Sequence, residues 1–303
     1  MNSGAGFDTD QYQLLDFGNG STLEPFGSWV IDRPSPPAEH EQKSSPDKWQ
    51  AAHLRFERKA GLQGSWKLLQ SASSVEFGKG GESFPPWAIR YQNHFQLELQ
   101  LSPVGHLGVF AEQAENWYWI MQQIQRIQRG QQNPVKVLNL FAYTGGSTLA
   151  AAAAGAHVTH IDSAGNIVNR ARENAALSGM QEAPIRWIQE DALLFCQREL
   201  KRGNQYQGII LDPPSYGHGP KNQVWKIGKH LLPLLELCGE LTTQSRGFVL
   251  LTNHSPDFSS ADLEASFADA IFGSCGAGAR ASRMGLNSAN GRRLDAGCVV
   301  RFP

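Results

Sequence analysis

The sequence predicts an α/β fold: a doubly wound, mostly parallel sheet of seven strands with helices on both faces, behind a small β-rich N-terminal domain. Three observations predict it. Between residues 135 and 252 short apolar runs alternate with amphipathic stretches, as strands joined by crossover helices do. The successive runs end in a glycine turn (Gly145-Gly146) or an acid (Asp162, Asp191, Asp212), and ligands of open α/β sheets bind outside the carboxyl ends of the strands. Upstream of residue 102, by contrast, the apolar pattern has the period of two expected of half-buried strands.

Taken in order, residues 1–10 are polar and glycine-containing and read as a frayed tail. Residues 11–104 form the expected β-rich domain. L-L-D-F and T-L-E-P-F flank Gly18-Asn19-Gly20, where Asn-Gly supplies the positive φ values of a tight hairpin. Arg33 to Asp47 is rich in proline, serine and charge and reads as a surface loop, with Trp29, Trp49, Phe56 and Trp66 available for one small core. W-A-I-R-Y and F-Q-L-E-L-Q-L, within residues 87–101, alternate as strands.

Residues 105–303 form the second predicted domain. Phe110 to Arg129 reads as a helix, with Trp117, Ile120, Ile124 and Ile127 on one face and Gly130 as its stop. Then follow strand 135–140, helix 147–154, strand 157–162, helix 164–178, strand 185–190, helix 192–202, strand 208–212, helix 224–241 and strand 247–252. A helix near 261–272 and two closing strands, about 281–286 and 296–302, complete the pattern.

Composition narrows the classes. Hydrophobic residues at 41% and charged residues at 18% exclude wholesale disorder, and no apolar run approaches a membrane span. With no secretion signal in the first residues, the expectation is a cytoplasmic protein. Cys196, Cys238, Cys275 and Cys298 lack a C-x-x-C pair, so neither a zinc site nor a disulfide framework is indicated and no metal is expected. The formal charge of −1 removes the global basic field of many nucleic-acid binders. Any RNA contact then needs a local patch, for which Arg280, Arg283, Arg292, Arg293 and Arg301 are candidates, or else a solvated face.

The chemistry concentrates at strand ends. D-P-P-S-Y, Asp212 to Tyr216, follows the run Gly208 to Leu211, and its two prolines forbid continued strand pairing and an immediate helix. Asp212 and the carbonyls of Pro213 and Pro214 could orient an acceptor amino group, while Tyr216 could stack on a base; a proline-rich turn is the plain alternative. N-L-F-A-Y-T-G-G, with Asn139, Phe141, Tyr143, Thr144, Gly145 and Gly146, is a glycine turn without the G-x-G-x-x-G spacing, so a cofactor lacking phosphate fits it better. Asp162 could take both hydroxyls of a ribose, and Asp191 an adenine amino group; each could also cap the helix that follows it.

Together with H-L-G-V-F-A-E-Q (106–113), R-E-N-A-A-L-S-G (172–179) and G-R-R-L-D-A-G (291–297), these pieces resemble class I S-adenosylmethionine-dependent methyltransferases, and among them the bacterial group that methylates large-subunit ribosomal RNA. The resemblance spans residue 105 to the C-terminus and is weaker over 12–101. It implies a Rossmann-like sheet, S-adenosyl-L-methionine as cofactor, Gly145 and Gly146 against its methionine part, Asp162 at the ribose, Asp191 beside the adenine, and Phe110 and Gln113 bordering it. It also implies an RNA acceptor gripped by the N-terminal domain. One departure is that members methylating a pyrimidine carbon carry a cysteine after the fifth strand, where this chain has Thr252-Asn253-His254-Ser255. The expected acceptor is therefore a base nitrogen, with His254 either a base or an ordinary loop residue. Rival readings are a protein or small-molecule methyltransferase, a cytosine-carbon methyltransferase, a nicotinamide oxidoreductase and a non-catalytic cofactor binder.

Overall fold

The computed structural model describes residues 4–59, 63–70, 86–221, 223–255, 258–273 and 278–303. Two compact units emerge: Met1–Ala114 with Gly285–Ala296, and Glu115–Met284 with Gly297–Pro303. Among the described residues no helix is long and apolar enough to cross a membrane. Cys275 lies outside the described residues.

The first unit holds a five-stranded sheet, β1 (Asp16–Gly18), β2 (Ser21–Phe26), β3 (Trp29–Pro34), β4 (Leu54–Arg58) and β5 (Gly64–Leu68), in that spatial order. Asn19 (φ 53°) and Gly20 (φ 72°) make the two-residue turn between β1 and β2, which the Asn-Gly pair predicts. A second pair, β6 (Ala88–Tyr91) and β7 (Phe95–Glu98), is antiparallel, with Ile89, Tyr91, Phe95 and Leu97 buried by the alternation read in the sequence. Residues 4–10, expected as a tail, include the buried Phe7, whose ring packs on Tyr12 at 5.7 Å and Tyr91 at 5.4 Å.

Two buried carboxylates organise this unit, and burying a charge is tolerable only when it is fully partnered. Glu24 accepts from the Tyr12 and Thr22 hydroxyls, each at 2.7 Å, and from Arg33 Nε at 2.7 Å. Asp16 accepts from Ser44 Oγ (2.6 Å), the Ser45 amide (3.0 Å) and Trp49 Nε1 (2.9 Å), so the polar 33–47 segment is tied inward rather than carried as a bare loop. Arg292, of the G-R-R-L-D-A-G stretch, lies over the Phe17 ring at 4.0 Å, donates to the Phe17 carbonyl (3.1 Å) and pairs with Glu41 (2.9 Å). It is therefore a structural residue of this unit. That takes it out of the basic patch expected near the C-terminus.

The second unit is the doubly wound part. Its elements are α1 (Ala114–Gln128), β8 (Lys136–Leu140), α2 (Gly146–Ala153), β9 (His157–Asp162), α3 (Gly165–Leu177), β10 (Ile185–Gln189), α4 (Ala192–Lys201) and β11 (Gly208–Leu211). A hairpin follows, β12 (Tyr216–His218) with β13 (Val224–Lys226), and then α5 (Ile227–Thr242), β14 (Phe248–Asn253), α6 (Ser260–Phe272), β15 (Arg280–Asn287) and β16 (Arg293–Phe302). The seven-stranded sheet runs β10-β9-β8-β11-β14-β16-β15, parallel from β10 through β14 and antiparallel between β14 and β16. The winding reverses between β8 and β11, the switch point where a crevice opens.

Alternate residues divide between the two faces of this sheet. Leu138, Leu140, Ile209, Leu211, Val249 and Leu251 form one apolar layer with Phe195 of α4, Leu234 of α5 and Phe267 of α6. On the other face α1 supplies Trp119 against Phe248, ring centroids 5.7 Å apart. The helix expected over 224–241 differs at its start: Val224–Lys226 pairs with Tyr216–His218, and the helix begins at Ile227. A β-branched residue, Val224, across from His218, and Trp225 packed on the Phe141 ring favour cross-strand pairing over a helical turn.

Burial alone would push the Asp16 pKa up, but the hydrogen bonds from Ser44, Trp49 and Ser45 lower it to about 2. A depressed carboxyl contributes stability present above its unfolded value and lost as the pH falls through the folded one, here worth about 2 kcal/mol. Asp16→Asn should lose that amount at pH 7, read from urea unfolding. The gap to the native protein should shrink between roughly pH 4 and pH 2, and a gap that stays constant with pH would refute the assignment.

Candidate cofactor and acceptor site

Parallel register sets Leu140 beside Leu211, so the two chains leave the sheet side by side at Phe141 and Asp212. The turn after β8 is built from left-handed residues: Phe141 (φ 55°), Tyr143 (φ 49°) and Gly145 (φ 93°). Two of these are not glycine, a conformation of order 1–3 kcal/mol each that persists only where the surroundings over-determine it. Here they do. The Ala142 amide donates to the Ile161 carbonyl (3.0 Å), the Tyr143 amide to Asp162 Oδ2 (2.9 Å), and Asn174 Nδ2 to the Thr144 carbonyl (2.9 Å). Glycine is needed at 145 for its φ and because a Cβ would meet Ala171 Cβ at 3.1 Å; at 146 a Cβ would meet the Trp117 ring at 2.6 Å.

Asp162 thus carries two duties at the end of β9, since its Oδ1 also accepts from the Ala164 amide at 3.0 Å. Burial raises its pKa, with the Ala164, Tyr143 and Ser163 amides opposing that rise. Asp191 caps α4 by accepting from the Leu194 amide at 3.0 Å, the capping role read from sequence. Both acids line one cleft with Phe141, Pro214 and Trp225. The Trp225 ring stands 4.8 Å from that of Phe141, and its Nε1 donates to the Pro214 carbonyl at 2.7 Å.

The other expected residues fall in different places. Asn139 is buried and donates to Thr148 Oγ1 at 2.9 Å inside the layer of α2, and Thr144 is likewise buried. Neither lines the cleft; both hold the turn that does. Phe110 and Gln113 belong to the first unit, at the two ends of a 3-10 turn leading to α1. Pro213 is buried, and the Pro214 carbonyl, expected to orient an acceptor, already takes the Trp225 hydrogen bond.

Asp212 sits among partners that the sequence reading missed. It accepts from Thr252 Oγ1 at 2.5 Å, and His254 Nε2 stands 3.5 Å from the same oxygen. Burial would raise its pKa; the hydrogen bond and charge of His254, together with the Thr252 hydroxyl, reverse this and hold it below the ordinary carboxylate value. An ionised carboxylate accepts hydrogen bonds only, which suits an N–H acceptor group. A threonine closing an otherwise apolar strand two residues before a histidine was the available signal for this pair. Trp225, the other omission, was hidden because its segment reads as helix.

The donor set also says what the cleft can hold. Two carboxylates at strand ends suit hydroxyl and amino groups, and Phe141, Trp225 and Pro214 offer flat apolar walls to a purine. Among the described residues no lysine or arginine lines it to meet a phosphate. This chemistry fits S-adenosylmethionine.

A family model described as S-adenosylmethionine-dependent methyltransferase matches residues 41–246. The chain belongs to this family. A solved S-adenosylmethionine-dependent methyltransferase from Agrobacterium tumefaciens is 32% identical with a TM-score of 0.85, over 99% of this chain and 91% of that one. Among curated relatives, ribosomal RNA large subunit methyltransferase K/L of Pseudoalteromonas atlantica is 30% identical over 48% of this chain. Ribosomal RNA large subunit methyltransferase I of Aeromonas hydrophila is 33% identical over 27%. The matches cover 19% and 21% of those relatives' lengths, so this methyltransferase spans about a fifth of each.

Asp162→Ala should weaken S-adenosylmethionine binding by about 1–3 kcal/mol, the cost of a lost charged hydrogen bond. Titration calorimetry on protein with an unchanged circular dichroism spectrum measures it. Unaltered affinity would take Asp162 out of the site.

Proposed function

We propose that this methyltransferase transfers a methyl group from S-adenosylmethionine to a nitrogen of a base in ribosomal RNA. The observation that carries the nitrogen assignment is the end of β14, where Thr252 and His254 converge on Asp212 and the strand carries no cysteine. Carbon methylation of a pyrimidine needs a thiolate that first adds to the ring. Cys196 and Cys238 are buried in the core behind the sheet, and the hydrogen bond that the Cys196 thiol makes to Cys238, burial and nearby charge push that thiol well up. Cys298 is 3% exposed within the same apolar cluster. A nitrogen acceptor needs no such nucleophile.

Bound in this cleft, the cofactor would supply an electrophilic methyl group to the acceptor nitrogen in exchange for the proton of its N–H. The residues of this chain position that exchange. Ionised Asp212 takes the hydrogen bond of the acceptor N–H, and Thr252 and His254 fix its orientation. Positioning of this kind can supply about 7–11 kcal/mol of the barrier. Asp162 and Asp191 bind the adenosine, with Phe141 and Trp225 as walls. The ribosomal substrate is supported by the relatives, whose names record that target for two different enzymes.

Asp212→Ala should abolish methyl transfer to ribosomal RNA in single-turnover assays while cofactor affinity stays within a few fold. Joint loss of cofactor binding and thermal stability would instead make D-P-P a structural turn. Replacing all four cysteines by serine should leave the rate within about tenfold, or 1.4 kcal/mol of barrier. A single Cys→Ser change that stops turnover, with a carbon-methylated pyrimidine as product, would overturn the nitrogen assignment.

A further inference from the structure

The hairpin between Asp212 and α5 has two unlike faces. In its antiparallel register Tyr216 lies opposite Lys226 and His218 opposite Val224, while Gly217 faces Trp225. Pleating sends the first four side chains to one side and Trp225 to the other. Trp225 is 5% exposed and lines the cofactor cleft, to which His218 also contributes. Tyr216, His218, Val224 and Lys226 are exposed, Tyr216 by 55%.

Charge on this segment is one-sided. From Pro213 to Leu235 the sequence contains Lys221, Lys226 and Lys229 and no acidic residue, although the chain as a whole carries a formal charge of −1. All three lysines are exposed, and none forms an ion pair among the described residues. The Tyr216 ring is braced by His218, with centroids 5.2 Å apart and the hydroxyl 3.3 Å from His218 Nε2. The Lys226 amide donates to His230 Nδ1 at 2.9 Å, which anchors the hairpin to the first turn of α5.

We propose that the outer face of this hairpin is the docking surface for a single-stranded or unpaired stretch of the RNA substrate. Lys221, Lys226 and Lys229 meet its phosphates, and Tyr216 offers an exposed ring on which a base stacks. Lysines that track a backbone beside an aromatic platform are the elements that bind single strands. An extended protein segment added to an edge of this two-stranded hairpin would leave unexplained the three exposed lysines on the segment from Tyr216 to Lys229. The hairpin also explains how a near-neutral protein holds a polyanion: its positive field is local and starts a few residues after Asp212. Arg292, engaged within the first unit, does not supply it.

This inference rests on the proposed RNA acceptor, and its test separates the two. Fluorescence anisotropy with a labelled, mixed-sequence single-stranded RNA oligonucleotide should show affinity that falls steeply with salt. The triple variant K221Q/K226Q/K229Q should lower the slope of log affinity against log salt by about two, at about 0.7 for each phosphate that a lysine no longer neutralises. Its S-adenosylmethionine affinity by calorimetry should be unchanged. Tyr216→Ala should weaken RNA binding about fivefold or more, as loss of one stacked base does. If the native protein binds RNA and the triple variant keeps the native slope, the RNA dock lies elsewhere and the RNA reading stands. If the native protein shows no salt-dependent RNA binding, or polyglutamate displaces the RNA at equal charge concentration, both readings fail.

Discussion

The parallel pairing of β8 with β11 is the constraint on which the rest depends. Because Leu140 and Leu211 are register partners, the chain emerges from the sheet at Phe141 and Asp212 on neighbouring strands at the point where the winding reverses. Each exit needs an abrupt change of direction, and each achieves it by a different device. After β8 the backbone adopts left-handed conformations at Phe141, Tyr143 and Gly145, held by Asp162 and Asn174. After β11 two prolines deny the backbone its donors. The first device is pinned by Asp162, which lines the cleft, and the second sets Asp212 against Thr252 and His254.

Asp162 shows how scaffold and site share one group. Its oxygens accept from the amides of Tyr143 and Ala164, so the same side chain pins the turn after β8 and opens the loop after β9. Asp191 divides its capacity in the same way between capping α4 and lining the cleft. A carboxylate has about four lone-pair sites, so two backbone contacts leave capacity for a ligand. Helix capping and ligand binding, which compete as readings of a sequence, are compatible in the folded protein.

The first unit solves a different problem. Small β sheets bury few apolar side chains, and here Glu24 and Asp16 are buried with complete sets of donors. Losing one partner would leave a charge in a poor solvent, so such clusters enforce a single arrangement of the strands around them. Arg292 reaches this unit from a segment far along the chain, which gives G-R-R-L-D-A-G a packing duty that its sequence does not disclose.

The sequence by itself determined most of the order of strands and helices in the second unit, the acids at their ends and the lack of a cysteine in residues 252–255, because periodicity, turn residues and strand-terminal chemistry are local properties of the chain. It also carried the Asn19-Gly20 hairpin, whose φ values few other pairs adopt. Tertiary structure alone decided which of those residues meet. Val224–Lys226 has enough apolar and lysine content for a helix, and only pairing with Tyr216–His218 makes it a strand and turns Trp225 into the cleft. Asn139 and Thr144, adjacent in sequence to the ligand turn, point into the layers beside it. Asp212, Thr252 and His254 come together because β11 and β14 are parallel neighbours, an adjacency set by the long-range packing of α4, α5 and α6 on the sheet.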